Sequence, residues 1–128
     1  MNIRILVIDD DARARELLQI VVEAQGWEFL GAGTAGEGLK AAERHKPDAI
    51  VLDVVLPDMK GWDVCRRLRE IEAVAKTPIL LVSGKHKDSE DIVKGLKSGA
   101  DDYLPKPLRP ALLVEKIKTV VRPLPKGV

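Results

Sequence analysis

Ala49-Ile-Val-Leu-Asp53-Val-Val-Leu-Pro57 decides the reading of the fold. Four apolar residues run unbroken into an aspartate, and a proline closes the stretch four positions later. A short, continuous aliphatic run is what a strand buried on both faces requires, and an acid at its end puts charge where such a strand leaves the core. Arg4–Ile8 and Pro78–Val82 repeat the pattern, ending at Asp9 and Ser83. Glu28–Ala32 and Asp102–Leu104 are two weaker strand candidates. Amphipathic stretches lie between all five. Leu17, Leu18, Val21 and Ala24 are predicted to form the inner face of the first helix, and Leu113, Ile117 and Val120 that of the last.

The boundaries carry their own signals. Thr34-Ala-Gly-Glu37 reads as a capping box, in which hydroxyl and carboxylate each meet a free backbone N–H. Gly26 and Gly99 follow helical runs, where a left-handed residue ends a helix at little cost. Pro47, Pro57, Pro78 and Pro107 fall in connections, where a missing N–H does no harm. Strand–helix alternation of this kind predicts parallel strands joined by right-handed crossovers, with helices on both faces. Sites in such sheets form beyond the carboxyl ends of the strands, at the switch in strand order.

Composition bounds the rest. The chain has 128 residues, 45% hydrophobic and 32% charged, an ordinary balance for one folded domain. Twenty-one basic and 20 acidic residues leave a net charge of +1, so no basic stripe invites direct nucleic-acid contact. The lone Cys65 excludes an internal disulfide and fits a reducing cytoplasm. No apolar run approaches the roughly 20 residues that span a bilayer. The N-terminal apolar part is too short for a signal peptide and runs directly into acid. A cytoplasmic protein without membrane contact is expected. Residues 1–122 read as the domain, and 123–128 as a tail or the start of a linker.

The chemistry-bearing residues sit at strand ends: Asp9 and Asp10, Asp53, Ser83, and Lys106. If the fold is as predicted, they converge on one pocket. Three nearby carboxylates raise one another's pKa and call for a cation. A hard divalent ion with oxygen ligands suits them, and Mg²⁺, with Mn²⁺ as a substitute, leaves room for water and phosphate oxygens. No His or Cys lies near these motifs, which argues against zinc or copper. Lys106 supplies a fixed positive charge and Ser83 a hydroxyl donor. A carboxylate, a metal, an ammonium and a hydroxyl together describe phosphoryl transfer to Asp53.

Asp9-Asp10, Asp53-Val-Val-Leu-Pro57 with Gly61, Ser83-Gly84, and Tyr103-Leu-Pro-Lys106-Pro107 resemble the signature of two-component receiver domains over essentially the whole chain. The resemblance implies a flavodoxin-like, doubly wound (βα)5 sandwich with a parallel five-stranded sheet in the order 2-1-3-4-5. It implies that Asp53 accepts a phosphoryl group from a sensor histidine kinase or phosphotransfer protein. It makes Asp10 a direct Mg²⁺ ligand, Asp9 a ligand mainly through water, and Val55 a ligand through its backbone carbonyl. It implies a cis Lys106–Pro107 bond that aims the ammonium inward. Ser83 and Tyr103 become the switch residues, reshaping the surface of the fourth helix, fifth strand and fifth helix. Val55 and Lys85 stand where such domains tune phosphate hydrolysis, and this pair suggests a long-lived phosphoryl state. The segment from Lys94 to Pro107 further resembles regulators with winged-helix outputs, which dimerise through that same surface. Lys94, Asp102 and Lys116 match charged positions of that interface, whereas Leu112 replaces an acid.

Several of these residues have plainer readings. Asp10 or Asp11 alone would be a helix cap. Ser83-Gly84 alone would be a turn, and Tyr103 an edge aromatic. Asp91–Gly99 is short and carries an interior glycine, which costs a helix about 1 kcal/mol, so the fourth helix is predicted to be soft. His45 and His86 read as exposed bystanders, Cys65 as core, and Trp62 as a helix-start residue beside the site. Two rival functions fare poorly. A haloacid-dehalogenase-like phosphohydrolase needs an acid where Val55 stands, so no turnover of outside substrates is expected. A flavodoxin-like FMN carrier needs a phosphate-cradling loop where Asp9-Asp-Asp11 would repel the anion.

Overall fold

The continuous aliphatic runs become the centre of a single parallel sheet in the computed structural model, which describes residues 3–84 and 89–121. Lys85, His86 and the proposed tail lie outside the described residues. The elements in chain order are β1 (Arg4–Ile8), α1 (Ala12–Ala24), β2 (Glu28–Ala32), α2 (Ala35–His45), β3 (Ala49–Asp53) and α3 (Gly61–Glu70). After a 3-10 turn at Glu72–Val74 come β4 (Ile79–Ser83), α4 (Ser89–Lys97), β5 (Asp102–Pro105) and α5 (Pro110–Val121). The strand order is β2-β1-β3-β4-β5, all parallel, as expected.

Successive strand residues point to opposite faces, so each unbroken run feeds two cores. Leu6, Ile8, Ile50, Leu52, Ile79 and Leu81 pack beneath α2 and α3 with Val64, Cys65 and Leu68. Ile5, Val7, Val51, Leu80, Val82 and Leu104 pack on the other side with Leu18, Val22, Leu113 and Ile117 of α1 and α5. The registers place Asp53 beside Val82 and Ser83 beside Pro105, at one edge of the sheet.

The capping predictions hold. Thr34 Oγ1 accepts from the Glu37 N–H at 3.1 Å, and Glu37 Oε1 accepts from the Gly33 N–H at 3.0 Å. Gly26 and Gly99 end their helical runs at φ +82° and +111°. Asp11 is the N-cap of α1, its carboxylate accepting from the Arg13 N–H at 2.9 Å.

Two expectations need correction. The inner face of α1 is Leu18 and Val22, whereas Leu17 is 53% exposed and Ala24 also faces outward. The sequence offers two apolar stripes about 100° apart, and the sheet accepts one of them. The interior glycine of α4 also has a packing reason. A Cβ on the buried Gly95 would stand 2.5 Å from Leu81 Cδ1, so its absence lets α4 lie directly on β4. At the opposite end of the sheet from the acidic cluster, Arg69 ties α3 to its surroundings. It donates to the Gly99, Ala75 and Thr77 carbonyls and to Asp101 Oδ2.

Candidate functional site

The strand order reverses its direction of growth between β1 and β3, leaving a crevice at their carboxyl ends. Asp9, Asp10, Asp11, Asp53, Val55, Ser83, Gly84 and Lys106 line a cavity of about 260 Å³ there. Every residue that sequence reasoning assigned to the pocket within the described chain is therefore brought together, although they span β1 to β5.

Asp9, Asp53 and Ser83 are buried, at 5%, 8% and 1% exposure, while Asp10 is open to solvent. One carboxylate oxygen from each of Asp9, Asp10 and Asp53 lies within 4.8 Å of the others, so this acidic cluster can hold a metal ion. Lys106 Nζ donates to Asp53 Oδ2 at 3.1 Å and stands 3.5 Å from Asp9 Oδ2. The Lys106–Pro107 bond is cis.

The electrostatics pull in two directions. Burial pushes the Asp9 carboxyl above the usual range and the Asp53 charge adds to it, against the Asp11 N–H and the Lys106 ammonium. Burial works to lower the Lys106 ammonium, but Asp53 and then Asp9 outweigh it and hold the pKa above its ordinary value. The ion pair therefore shows in the lysine but not in the direction of the Asp9 shift, because Asp9 is the more buried partner. A further cation beside Asp9 would favour its ionised form and offset the cost of burial.

Backbone contacts fix the carboxylates. The Asp11 N–H donates to Asp9 Oδ1 at 2.9 Å, and the Val55 N–H donates to Asp53 Oδ1 at 3.1 Å. Val55, 38% exposed, forms an isolated antiparallel bridge to Lys60 that closes the loop after β3. Gly61 completes that turn: a Cβ there would fall 2.6 Å from Val54 Cα and 2.8 Å from the Asp53 carbonyl oxygen. Tyr103 is half-buried, and its hydroxyl donates to the Ser83 carbonyl in a long 3.4 Å hydrogen bond. The two residues read as a switch pair are thus in contact.

Two residues, Asp58 and Arg15, support the site without a local signal in the sequence, and Lys94 makes a contact the sequence does not show. Asp58, in the loop after β3, accepts from the Ala35 and Gly36 N–H groups at 2.8 and 3.0 Å. These two N–H groups hold its carboxyl below the usual range. Arg15 Nη1 donates to the Asp9 carbonyl at 2.7 Å. Lys94 Nζ lies 4.4 Å from the centroid of Trp62, which is the second residue of α3, as its helix-start reading expected, and is buried. Nothing local in the sequence signals these contacts, because their partners lie 6 to 32 positions away.

A doubly wound α/β domain with an acidic cluster and a lysine at its switch point defines the class. The response regulator receiver domain model matches residues 5–118, and the chain belongs to that family, the phosphorylation-dependent switch of two-component signalling. It is 43% identical over 122 residues to the DNA-binding response regulator MtrA of Mycobacterium tuberculosis, covering 95% of this chain and 52% of that protein. It is 40% identical over 122 residues to the alkaline phosphatase synthesis transcriptional regulatory protein PhoP of Bacillus subtilis, covering 95% and 50%. The chain thus spans about half the length of the curated relatives it matches. A CheY-like receiver domain protein of Methanospirillum hungatei superposes with a TM-score of 0.88 at 33% identity, covering 95% of each chain. Among the described residues, no helix is long and apolar enough to cross a membrane.

Proposed function

We propose that Asp53 is the phosphoacceptor, charged by a sensor histidine kinase or phosphotransfer protein, and that Mg²⁺ occupies the acidic cluster. One observation carries the reading: the Lys106 ammonium contacts Asp53, and a carboxylate oxygen of Asp53 lies within 4.8 Å of one each from Asp9 and Asp10. The donor set is oxygen only, from carboxylates facing an open cavity, which fits a hard divalent cation. Asp10 and Asp53 would hold it, with Asp9 acting mainly through water and the Val55 carbonyl as a further ligand. When bound, the ion neutralises charge on the phosphoryl oxygens.

An Asp53 carboxylate oxygen attacks phosphorus in line while the bond from phosphorus to the donor imidazole nitrogen breaks, and the imidazole keeps the electron pair and takes a proton. Lys106 offsets charge on an equatorial phosphoryl oxygen, and Ser83 donates its hydroxyl to another. Later attack by water on phosphorus releases inorganic phosphate and restores Asp53. With Val55 where a second acid would activate outside substrates, the protein acts on itself alone and is not an enzyme of external turnover. Val55 also cannot orient the attacking water, which supports a phosphoryl lifetime of minutes or more.

The signal passes from Ser83 through its carbonyl to Tyr103 and so to the face of α4, β5 and α5. Val93 and Leu96 expose 46% and 43% of their surface on α4, which favours a second copy binding there. Asp102 and Lys116 pair within the chain at 2.8 Å and would exchange partners in that dimer. The net charge of +1 gives no footprint for nucleic acid, and the free, buried Cys65 suits the cytoplasm.

Incubation with acetyl phosphate and Mg²⁺, read by intact mass, tests the site. One added phosphoryl group, absent in Asp53→Ala and without Mg²⁺, is expected. An adduct that survives Asp53→Ala refutes the assignment. Sedimentation with and without beryllofluoride tests the dimer, which is refuted by a monomer in both.

A further inference from the structure

Arg15 lies outside the pocket lining, and no step above uses it, yet it holds the backbone from which the acidic pair projects. Its Nη1 donates to the Asp9 carbonyl at 2.7 Å, while the Asp9 N–H donates to the Ala32 carbonyl at 3.0 Å. The Asp9 carbonyl belongs to the planar peptide that also carries the Asp10 N–H, so pinning one end fixes the direction in which Asp10 leaves. The open space around the guanidinium comes from Gly33, the residue after β2. A Cβ on Gly33 would approach Arg15 Nη1 to 3.2 Å, tighter than ordinary contact, whereas one on Gly31 would meet the Phe29 ring at 3.0 Å and leave Arg15 Cδ at an ordinary 3.6 Å. The missing side chain at Gly33 thus leaves room for the guanidinium at the end of β2, from which it reaches across to the residue after β1. A guanidinium delivers its donors from a rigid plane, which suits it to hold a carbonyl in one orientation.

The geometry points to Arg15 as a positioning residue for divalent-cation binding: by pinning the Asp9 carbonyl it keeps Asp9 and Asp10 set for one cation. Its positive charge also lies against the backbone of Asp9, the first of three consecutive acids. This inference rests on the reading of the pocket as a Mg²⁺ site.

Mn²⁺ binding, read by loss of the free-ion EPR signal with Mg²⁺ as competitor, tests it. Arg15→Met keeps the stem and removes the donors. Its Mn²⁺ dissociation constant is expected to rise about tenfold or more, the usual cost of losing a group that orients a metal ligand. Arg15→Lys recovers part of the loss. Gly33→Ala crowds the guanidinium and weakens binding in the wild type but adds nothing to Arg15→Met. Thermal unfolding without metal accompanies each titration, because a purely structural role lowers the midpoint and leaves affinity unchanged. Wild-type affinity in Arg15→Met overturns the inference, as does Gly33→Ala weakening binding equally in both backgrounds. If Arg15→Met does not fold, Arg15→Lys and Gly33→Ala are each expected to weaken Mn²⁺ binding, and wild-type affinity in both overturns the inference. Wild-type protein that binds no Mn²⁺ overturns the metal reading itself.

Discussion

Replacing Lys106 with methionine removes a positive charge from between two buried carboxylates while keeping an unbranched apolar stem. Among the described residues the wild-type ammonium makes one charged hydrogen bond, 3.1 Å to Asp53, and stands 3.5 Å from Asp9, beyond good hydrogen-bond range. A hydrogen bond to a charged group contributes about 1.5–3 kcal/mol. Lys106 is 35% exposed, so water screens part of this, and the second contact adds little. A loss of about 2 kcal/mol in metal-free protein follows, most of it the cost of leaving Asp53 and Asp9 facing each other uncompensated. For 128 residues that lowers the unfolding midpoint by about 7 °C, at an unfolding entropy of roughly 2.1 cal/mol/K per residue. Mg²⁺ should reverse the deficit, since a divalent cation in the cluster replaces the missing charge and no longer meets a repelling ammonium. Thermal unfolding at several Mg²⁺ concentrations measures both effects. Equal midpoints without Mg²⁺, or a Mg²⁺ increment no larger in the variant than in the wild type, would refute the reasoning.

Gly95→Ala drives a Cβ to within 2.5 Å of the buried Leu81 Cδ1, and overpacking of this kind costs about 1–3 kcal/mol; chemical denaturation should show it, and an unchanged midpoint would mean that α4 shifts freely. Asp58 has a depressed carboxyl pKa in the fold, so its stabilisation of the α2 N-terminus is present above the ordinary value of 3.8 and lost as pH falls through the folded value. Asp58→Asn should therefore flatten the acid limb of the stability profile, and an identical limb would exclude the capping role. Burial pushes the Cys65 thiol up to about 12, so the folded protein should resist a disulfide reagent at pH 8 and react only after denaturation. Rapid labelling of native protein would contradict that burial.

Much of this protein was determined by local pattern. Unbroken aliphatic runs at Ile5–Ile8, Ala49–Leu52 and Ile79–Val82 are sufficient to demand burial on both faces, and alternation with helices then leaves a parallel sheet as the solution. The topology rule for such sheets carries Asp9, Asp53, Ser83 and Lys106 to one edge without knowledge of any distance. What the sequence left open are choices between equivalent local options. Leu17 and Leu18 are alike in composition, and only docking on the sheet buries one and exposes the other. Gly95 reads as a weak point in a helix until Leu81 is seen beneath it. Asp58 and Arg15 are ordinary charged residues in a chain that is 32% charged, and their roles depend on loops arriving within hydrogen-bond distance. Periodicity encodes which face of an element is apolar, but a hydrogen bond between distant loops depends on the packed positions of both. Tertiary structure alone sets those positions, and so it decided how the acidic pocket is held in place.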